Sequence, residues 1–338
     1  MSKPLRPNDR GAPVSDLHRR LAAAGHQVDG VEEADGYFGP ATTQSLLAFQ
    51  TERGLDEHGL VDETTQAALV EAGLRLGDRY LYLHVPMFRG EDVADLQLRL
   101  GSLGFDAGRI DGIFGPDTAG ALADFQRNTA LAVDRIAGPQ TVRVLRQLLG
   151  RLAGRTTVTQ VRELDRLRQG SPELHGQRLA VGQFGSSAAL SAALSRTLRA
   201  RGAHLLDLDH PNEDTQAATA NEFQAVLYLG LRIENYSHSR ISYFAIKGFQ
   251  SEGGFRLAHQ CASGLDRALL SADVPATECL GRRIPVLRQT RMPAVAVGPL
   301  PLCSPPPFRG LALSRPAGRG AVWCRPIRRA PRFPPEPN

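Results

Sequence analysis

The stretch Asp35-Gly36-Tyr37-Phe38-Gly39-Pro40 returns as Asp111-Gly112-Ile113-Phe114-Gly115-Pro116, and each copy runs on through Thr42 or Thr118, Leu46 or Leu122, and Phe49-Gln50 or Phe125-Gln126. The offset is 76 residues, and it holds for Leu55 with Leu131 and Thr65 with Thr141. Upstream, Val14, Leu17, Leu21 and Gly25 match Val93, Leu96, Leu100 and Gly104 at an offset of 79, which puts three extra residues of the first copy in the loop before Asp35. A period this long describes a small domain repeated once, not a turn of a solenoid.

Each position of the motif has a backbone or packing reason. Asp-Gly is turn chemistry, and the following Gly-Pro opens a helix with proline where its missing N–H costs nothing. In that helix Thr118, Ala121, Leu122 and Phe125 fall at i, i+3, i+4 and i+7, one apolar stripe. Val14, Leu17 and Leu21 predict an earlier helix ended by Gly25, and a third begins at Asp62 or Gly138-Pro139 and runs through Leu69 or Leu145. Phe38, Leu46 and Phe49 are assigned to the core. The expectation is three short helices around one core, twice.

This pattern closely resembles the peptidoglycan-binding repeat of bacterial cell-wall hydrolases, over residues 5–75 and 80–150. The resemblance implies peptidoglycan or a muropeptide as ligand. The surface beside the turns would supply the contacts: Tyr37, Gln44, Gln50 and Arg53 in the first copy, Asp117, Gln126 and Arg127 in the second.

Length and composition bound the rest. At 338 residues the chain accommodates two or three domains with proper cores. No charged stretch followed by an apolar one comes after Met1 and no run approaches a membrane span, so the expectation is a cytoplasmic protein, wall-associated only if exported by another route. The four cysteines, Cys261, Cys279, Cys303 and Cys324, have no C-x-x-C spacing, which argues against structural zinc or a disulfide framework. The net charge of +5 is local: residues 298–338 hold seven arginines against Glu336 alone, leaving the rest of the chain at −1. A neutral body does not call for nucleic acid as partner. That same tail holds 11 of the 23 prolines and the single tryptophan, Trp323. Such a composition predicts disorder. It is also what GC-rich DNA read out of frame yields; a shifted reading frame is the expectation, with a genuine basic tail as its rival.

A charged linker, residues 151–176, with a helix at 161–168, leads to a change of pattern. Strands are predicted at 178–182, 203–208, 225–231, 241–246 and 293–297, and helices at 188–201, 212–223 and 255–270. Alternation of this kind argues for an α/β layer fold with a largely parallel sheet. The fold class is thus multidomain, α plus α/β: two three-helix domains and a third, incomplete α/β domain over residues 177–297. In that region Gln216-Ala-Ala-Thr-Ala-Asn221 and Pro285-Val-Leu-Arg288-x-Thr-Arg291-Met-Pro-Ala-Val295 resemble the zinc-dependent N-acetylmuramoyl-L-alanine amidases.

The resemblance implies a zinc held by two histidines and a glutamate, and a further catalytic glutamate. Each slot has lost its chemistry here. No histidine is available after the first strand, Gln183 stands near the glutamate ligand, Arg232 stands where the second histidine belongs, and Gly298-Pro299 follows the strand that should end in the catalytic glutamate. A fixed guanidinium repels zinc. A rebuilt site from His210, Glu234 and His238 is disfavoured because the segment resembles a loop. His204 and His259 are placed at the edges of packed elements. Ser186-Ser187 lacks a G-x-S-x-G elbow, and His259 and Cys261 at i, i+2 face apart on a helix.

The expected function is therefore recognition of peptidoglycan or muropeptide by the repeats, with the amidase-like domain a non-catalytic scaffold or regulator and an enzyme of precursor synthesis as a further partner. No cofactor is expected. An active amidase, with zinc, is the alternative. Loss of a strand partner and closing helix beyond Val297 should also expose apolar sheet surface and lower the solubility of residues 170–297.

Overall fold

The computed structural model describes residues 4–149, 157–171, 173–185, 187–232, 239–268 and 275–298. Ser186, Glu234, His238, Cys303, Cys324, Trp323 and the rest of the tail beyond Gly298 lie outside the described residues.

The first repeat is built from α1 (Ala12–Ala23), α2 (Gly30–Asp35), α3 (Pro40–Arg53) and α4 (Glu63–Gly73); the second from α5 (Glu91–Ser102), α6 (Pro116–Asn128) and α7 (Pro139–Leu149). Phe38, Leu46 and Phe49 are fully buried, as are Phe114, Leu122 and Phe125 in the other copy. Isolated bridges repeat as well: Leu5 with Val61 and Arg10 with Tyr37 correspond to Leu81 with Ala137 and Arg89 with Ile113. The first copy departs from the three-helix expectation, because its extra residues form α2 and not a loop. Asp29 caps that helix by accepting the Val31 N–H. Glu32 then accepts from the N–H groups of Gly39, Ala41 and Thr42 at 3.1, 2.9 and 2.8 Å, satisfying donors that the start of α3 leaves open.

Next comes α8 (Val158–Gln169), capped by a reciprocal Thr157–Gln160 box. It is more than a linker. Its Glu163 caps α11 (Glu252–Ala268), accepting the Ser251 hydroxyl at 2.6 Å and the N–H groups of Glu252 and Gly253 at 3.0 and 3.1 Å.

The third domain is a seven-stranded mixed sheet with helices on its faces. Strands β1 (Arg178–Phe184), β2 (His204–Leu208), β3 (Leu227–Arg232) and β7 (Ala294–Val297) are parallel in the order β2-β1-β3-β7. Next to β7 lies β4 (Arg240–Ile246), antiparallel to it, with β5 (Phe249–Gln250) and β6 (Glu278–Arg282) pairing onto β4. The sheet is mixed because the connection from β3 to β4, residues 233–239, is shorter than the dozen or so residues a parallel crossover needs. Helices α9 (Ala188–Ala200) and α10 (Glu213–Glu222) follow β1 and β2 as the alternation predicts. β5, β6 and the short α12 (Pro285–Gln289) are additions to the sequence reading. β7 is bonded to β3 on one side and β4 on the other, so the expected loss of its strand partner is not observed.

No helix among the described residues is long and apolar enough to cross a membrane.

Candidate functional site

Parallel strands bring their C-terminal ends to one edge, and there the register sets Gln183 beside Leu231, Phe184 beside Arg232, and Leu231 beside Val297. The three positions singled out in the sequence, Gln183, Arg232 and Gly298, are therefore gathered at neighbouring strand ends. Arg232 fills this place. Its guanidinium lies 2.5 Å from Glu213 Oε1 at the start of α10 and 5.4 Å over the Phe184 ring. Both ends of the pair are mostly buried, and the second oxygen of Glu213 accepts the Val286 N–H of α12 at 3.0 Å.

Beneath this pair the interior is polar but closed. Gln216 donates to the carbonyls of Gln183 and His210 at 3.0 and 2.7 Å and accepts the Tyr228 hydroxyl at 2.8 Å. Gly182 is required there, since a Cβ would stand 2.1 Å from the Tyr228 oxygen. Burial pushes the Tyr228 phenol well above its ordinary value, so it stays a neutral donor. Asn221 holds the turn before β7, donating to the Gln289 carbonyl at 2.9 Å and accepting the Arg291 N–H at 2.8 Å. Gln216 and Asn221, from the first of the two stretches that carried the amidase resemblance, thus tie backbone and core groups together.

These residues do not fit zinc as the resemblance would place it: a guanidinium paired to Glu213 stands where the resemblance assigns a histidine, and the amide of Gln183 where it assigns a glutamate. Among the described residues no group of three histidines, cysteines or carboxylates could hold a metal ion. His210 accepts the Asn212 N–H in the loop before α10, and the His259 ring packs tilted against Phe255, 4.1 Å between centroids, on the exposed side of α11. Burial pushes the Cys261 thiol up to about 11, far from a nucleophilic thiolate. A shallow cleft of about 450 Å³ lies elsewhere, between Gly101–Gly104 and Val158, Val161 and Arg162, and it holds no carboxylate.

On the repeats, three of the seven proposed ligand contacts are corrected. Gln50 and Gln126 are buried struts: each side-chain amide donates to a backbone carbonyl, Leu60 at 2.9 Å or Ile136 at 3.1 Å, and each side-chain oxygen accepts a loop N–H, Gly59 at 3.0 Å or Arg135 at 2.9 Å. An amide at the end of the motif helix pins the loop that starts the next helix, which is why Phe-Gln recurs. Arg53 is turned inward to Glu91 at 2.8 Å. Gln44, Asp117 and Arg127 are exposed, Arg127 pairing with Asp124 at 2.6 Å. Tyr37 is half-buried, donates to Asn8 at 2.9 Å and carries the Arg10 guanidinium 4.2 Å over its ring.

The sequence reading missed Arg109, Glu213, Arg282 and Arg283, and took Arg288 only as part of a motif. Arg282 reaches the Thr51 carbonyl at 2.6 Å and Glu57 at 3.3 Å, and the Arg283 N–H donates to the Glu52 carbonyl at 2.9 Å. Partners this far apart in sequence leave no local spacing to find.

Comparison with known proteins agrees with both halves of this architecture. Residues 10–69 and 89–145 match the family model described as a putative peptidoglycan binding domain. N-acetylmuramoyl-L-alanine amidase CwlM of Mycobacterium tuberculosis is 34% identical over 330 residues, spanning 87% of this chain and 80% of that protein. The chain belongs to this amidase family. N-acetylmuramoyl-L-alanine amidase CwlL of Bacillus licheniformis is 31% identical over 43% of this chain, which spans 46% of that relative. A spore cortex-lytic enzyme of Bacillus cereus is 48% identical over 56 residues, 17% of this chain and 22% of that protein. An amidase crystal structure from Clostridium difficile overlaps 36% of this chain and 78% of its own at 13% identity, with a TM-score of 0.29.

Proposed function

We propose that the chain recognises peptidoglycan or muropeptides through its repeats and that its amidase-like domain is a non-catalytic scaffold that presents the repeats to a partner, an enzyme of precursor synthesis. The observation that carries this reading is the Arg232–Glu213 ion pair at the ends of β3 and α10. A metal at this position would have to displace a guanidinium that is mostly buried and already paired to Glu213, and breaking such a pair costs about 3–5 kcal/mol. Two peptidoglycan-binding repeats and amidase relatives support the wall as the context.

Purified protein incubated with zinc and dialysed should carry far less than one zinc per chain and release no free peptide from wall material, while insoluble peptidoglycan should retain it. Stoichiometric zinc together with peptide release would replace this reading with an active amidase, the activity in the names of the relatives. Failure of wall material to retain the chain, with capture of a precursor-synthesis enzyme preserved, would leave the scaffold role and remove the ligand.

A further inference from the structure

The two Asp-Gly turns differ in what covers them. In the second repeat, Arg288 of α12 places Nε 2.6 Å from the Asp111 carbonyl and Nη2 3.1 Å from that of Gly112. Its remaining nitrogen, Nη1, is 3.5 Å from Glu71. Arg109, just before the turn, donates to the Leu287 carbonyl at 2.6 Å and lies 5.0 Å over the Phe244 ring. Ile110 between them is fully buried in the same apolar cluster as Ile284, Val286 and Leu287. Arg89, the counterpart of Arg10, points to Asp214 of α10 at 3.7 Å. Isoleucine at 113 takes the place of Tyr37 and removes the hydroxyl.

The first repeat keeps the opposite arrangement. Asp35, Asn8 and Arg10 are exposed, and the Gly36 carbonyl accepts only its own repeat's Gly11 N–H at 2.9 Å among the bonds of the described residues. There the exposed Arg10 guanidinium lies over the half-buried Tyr37 ring, with no group of the third domain against it among the described contacts.

We infer that the second repeat is an internal clamp whose Asp111-Gly112 turn is a guanidinium-binding site for Arg288, and that the outward ligand face of the pair is the first repeat's, around Asn8, Arg10 and Tyr37. A planar guanidinium with parallel donors suits two adjacent carbonyls, which a glycan hydroxyl would otherwise use. The ligand half of this inference rests on the wall-recognition reading; the clamp half does not.

Amide hydrogen exchange on the full chain tests the clamp. Arg288→Ala should speed exchange of amides 110–114 about tenfold and leave amides 34–38 at the wild-type rate. Unchanged exchange at 110–114, or equal acceleration at both turns, overturns it. If Arg288→Ala does not fold, Arg288→Lys, which keeps the charge but loses the fork, carries the same comparison with a smaller shift. Co-sedimentation with insoluble peptidoglycan tests the ligand face: Arg10→Ala with Tyr37→Ala should weaken retention about tenfold, the loss of one modest polar and stacking contact set, and Asp117→Ala with Arg127→Ala should not. The reverse pattern overturns the assignment. A wild-type chain that wall material never retains overturns both the wall reading and the ligand face, and the exchange comparison still judges the clamp.

Discussion

His18 and Gln97 occupy one position of the two repeats and meet the same threonine with different chemistry. His18 Nε2 lies 2.7 Å from the Thr42 hydroxyl, which in turn donates to Glu32 at 2.7 Å; Gln97 Nε2 donates to Thr118 at 3.1 Å. The His18 ring is buried, and its Nδ1 has no partner among the described residues. Burial holds its pKa below the ordinary 6.5, against the upward pull of Glu32 and Glu33. A second proton would put an unpaired N–H in the core. Because the folded value is depressed, the unfolded chain takes the proton first as pH falls through about 6.5, so this contribution to stability is complete above that pH and declines below it. His18→Gln, the second repeat's own solution, should flatten the loss of stability between pH 7 and pH 5. Urea midpoints of wild type and variant at the two pH values check this, and parallel slopes would remove His18 as the source.

At the scale of elements, the ends of the motif helices show how two copies of one design have diverged. After α3 the Leu55 N–H bonds the Gln50 carbonyl at 2.9 Å, and after α6 the Leu131 N–H bonds that of Gln126 at 2.9 Å, the same left-handed cap in each. The cap residue is Gly54 with φ 69° in the first copy but Ala130 with φ 55° in the second. An alanine there carries about 1–2 kcal/mol of strain, partly offset by the smaller entropy of its unfolded chain. Ala130→Gly should stabilise the chain by about 0.5–1 kcal/mol, read as a raised denaturant midpoint. Glycine is kept at 54 for a second reason, since a Cβ would stand 2.5 Å from Ile284 Cγ1. Gly54→Ala should therefore cost about 2–3 kcal/mol, strain plus displacement of the segment before α12, and exchange at 284–287 should rise with it. A cost no larger than that of strain alone would mean that Ile284 yields freely.

These caps also mark what could be read in advance. Local patterns, Gly-Pro helix starts, apolar stripes and strand alternation, placed most helices and five strands, because their causes lie within a few residues. The site was legible only as vacancies: Gln183, Arg232 and Gly298 stood out by what they are not. Glu213, which completes the Arg232 pair, comes 19 positions earlier on a different element, and Gln50 and Gln126 looked like surface because polarity says nothing of a buried amide with four partners. Short pieces such as α12 carry too few residues for a period.

For the whole molecule, the decisive fact is that the repeats and the sheet share one interior. Ile110 of the second repeat belongs to the third domain's core, and Glu91 at the start of α5 takes both Arg53 of the first repeat and Arg283 of the third domain. The arginine side chains are only 10% and 9% exposed. Burial, with Arg53 beside it, lowers the Arg283 pKa to about 10, so it remains charged at neutral pH and needs that carboxylate. Low solubility of the isolated third domain is still expected, but for a different reason from a missing strand: removing the repeats uncovers Ile284, Val286 and Leu287, all fully buried here. The full chain should accordingly unfold in a single calorimetric transition for its described domains. Glu91→Ala leaves two buried guanidinium groups facing each other without their shared partner, a loss of about 3–5 kcal/mol. Scanning calorimetry of this variant should resolve two transitions, the first repeat melting earlier because its Arg53 loses the carboxylate that ties it to the second repeat and, through Arg283, to the third domain. A single transition that merely shifts downward would mean that the apolar contacts around Ile110 and Ile284 couple the domains by themselves, and the ion network would then be an adornment of the interface, not its lock.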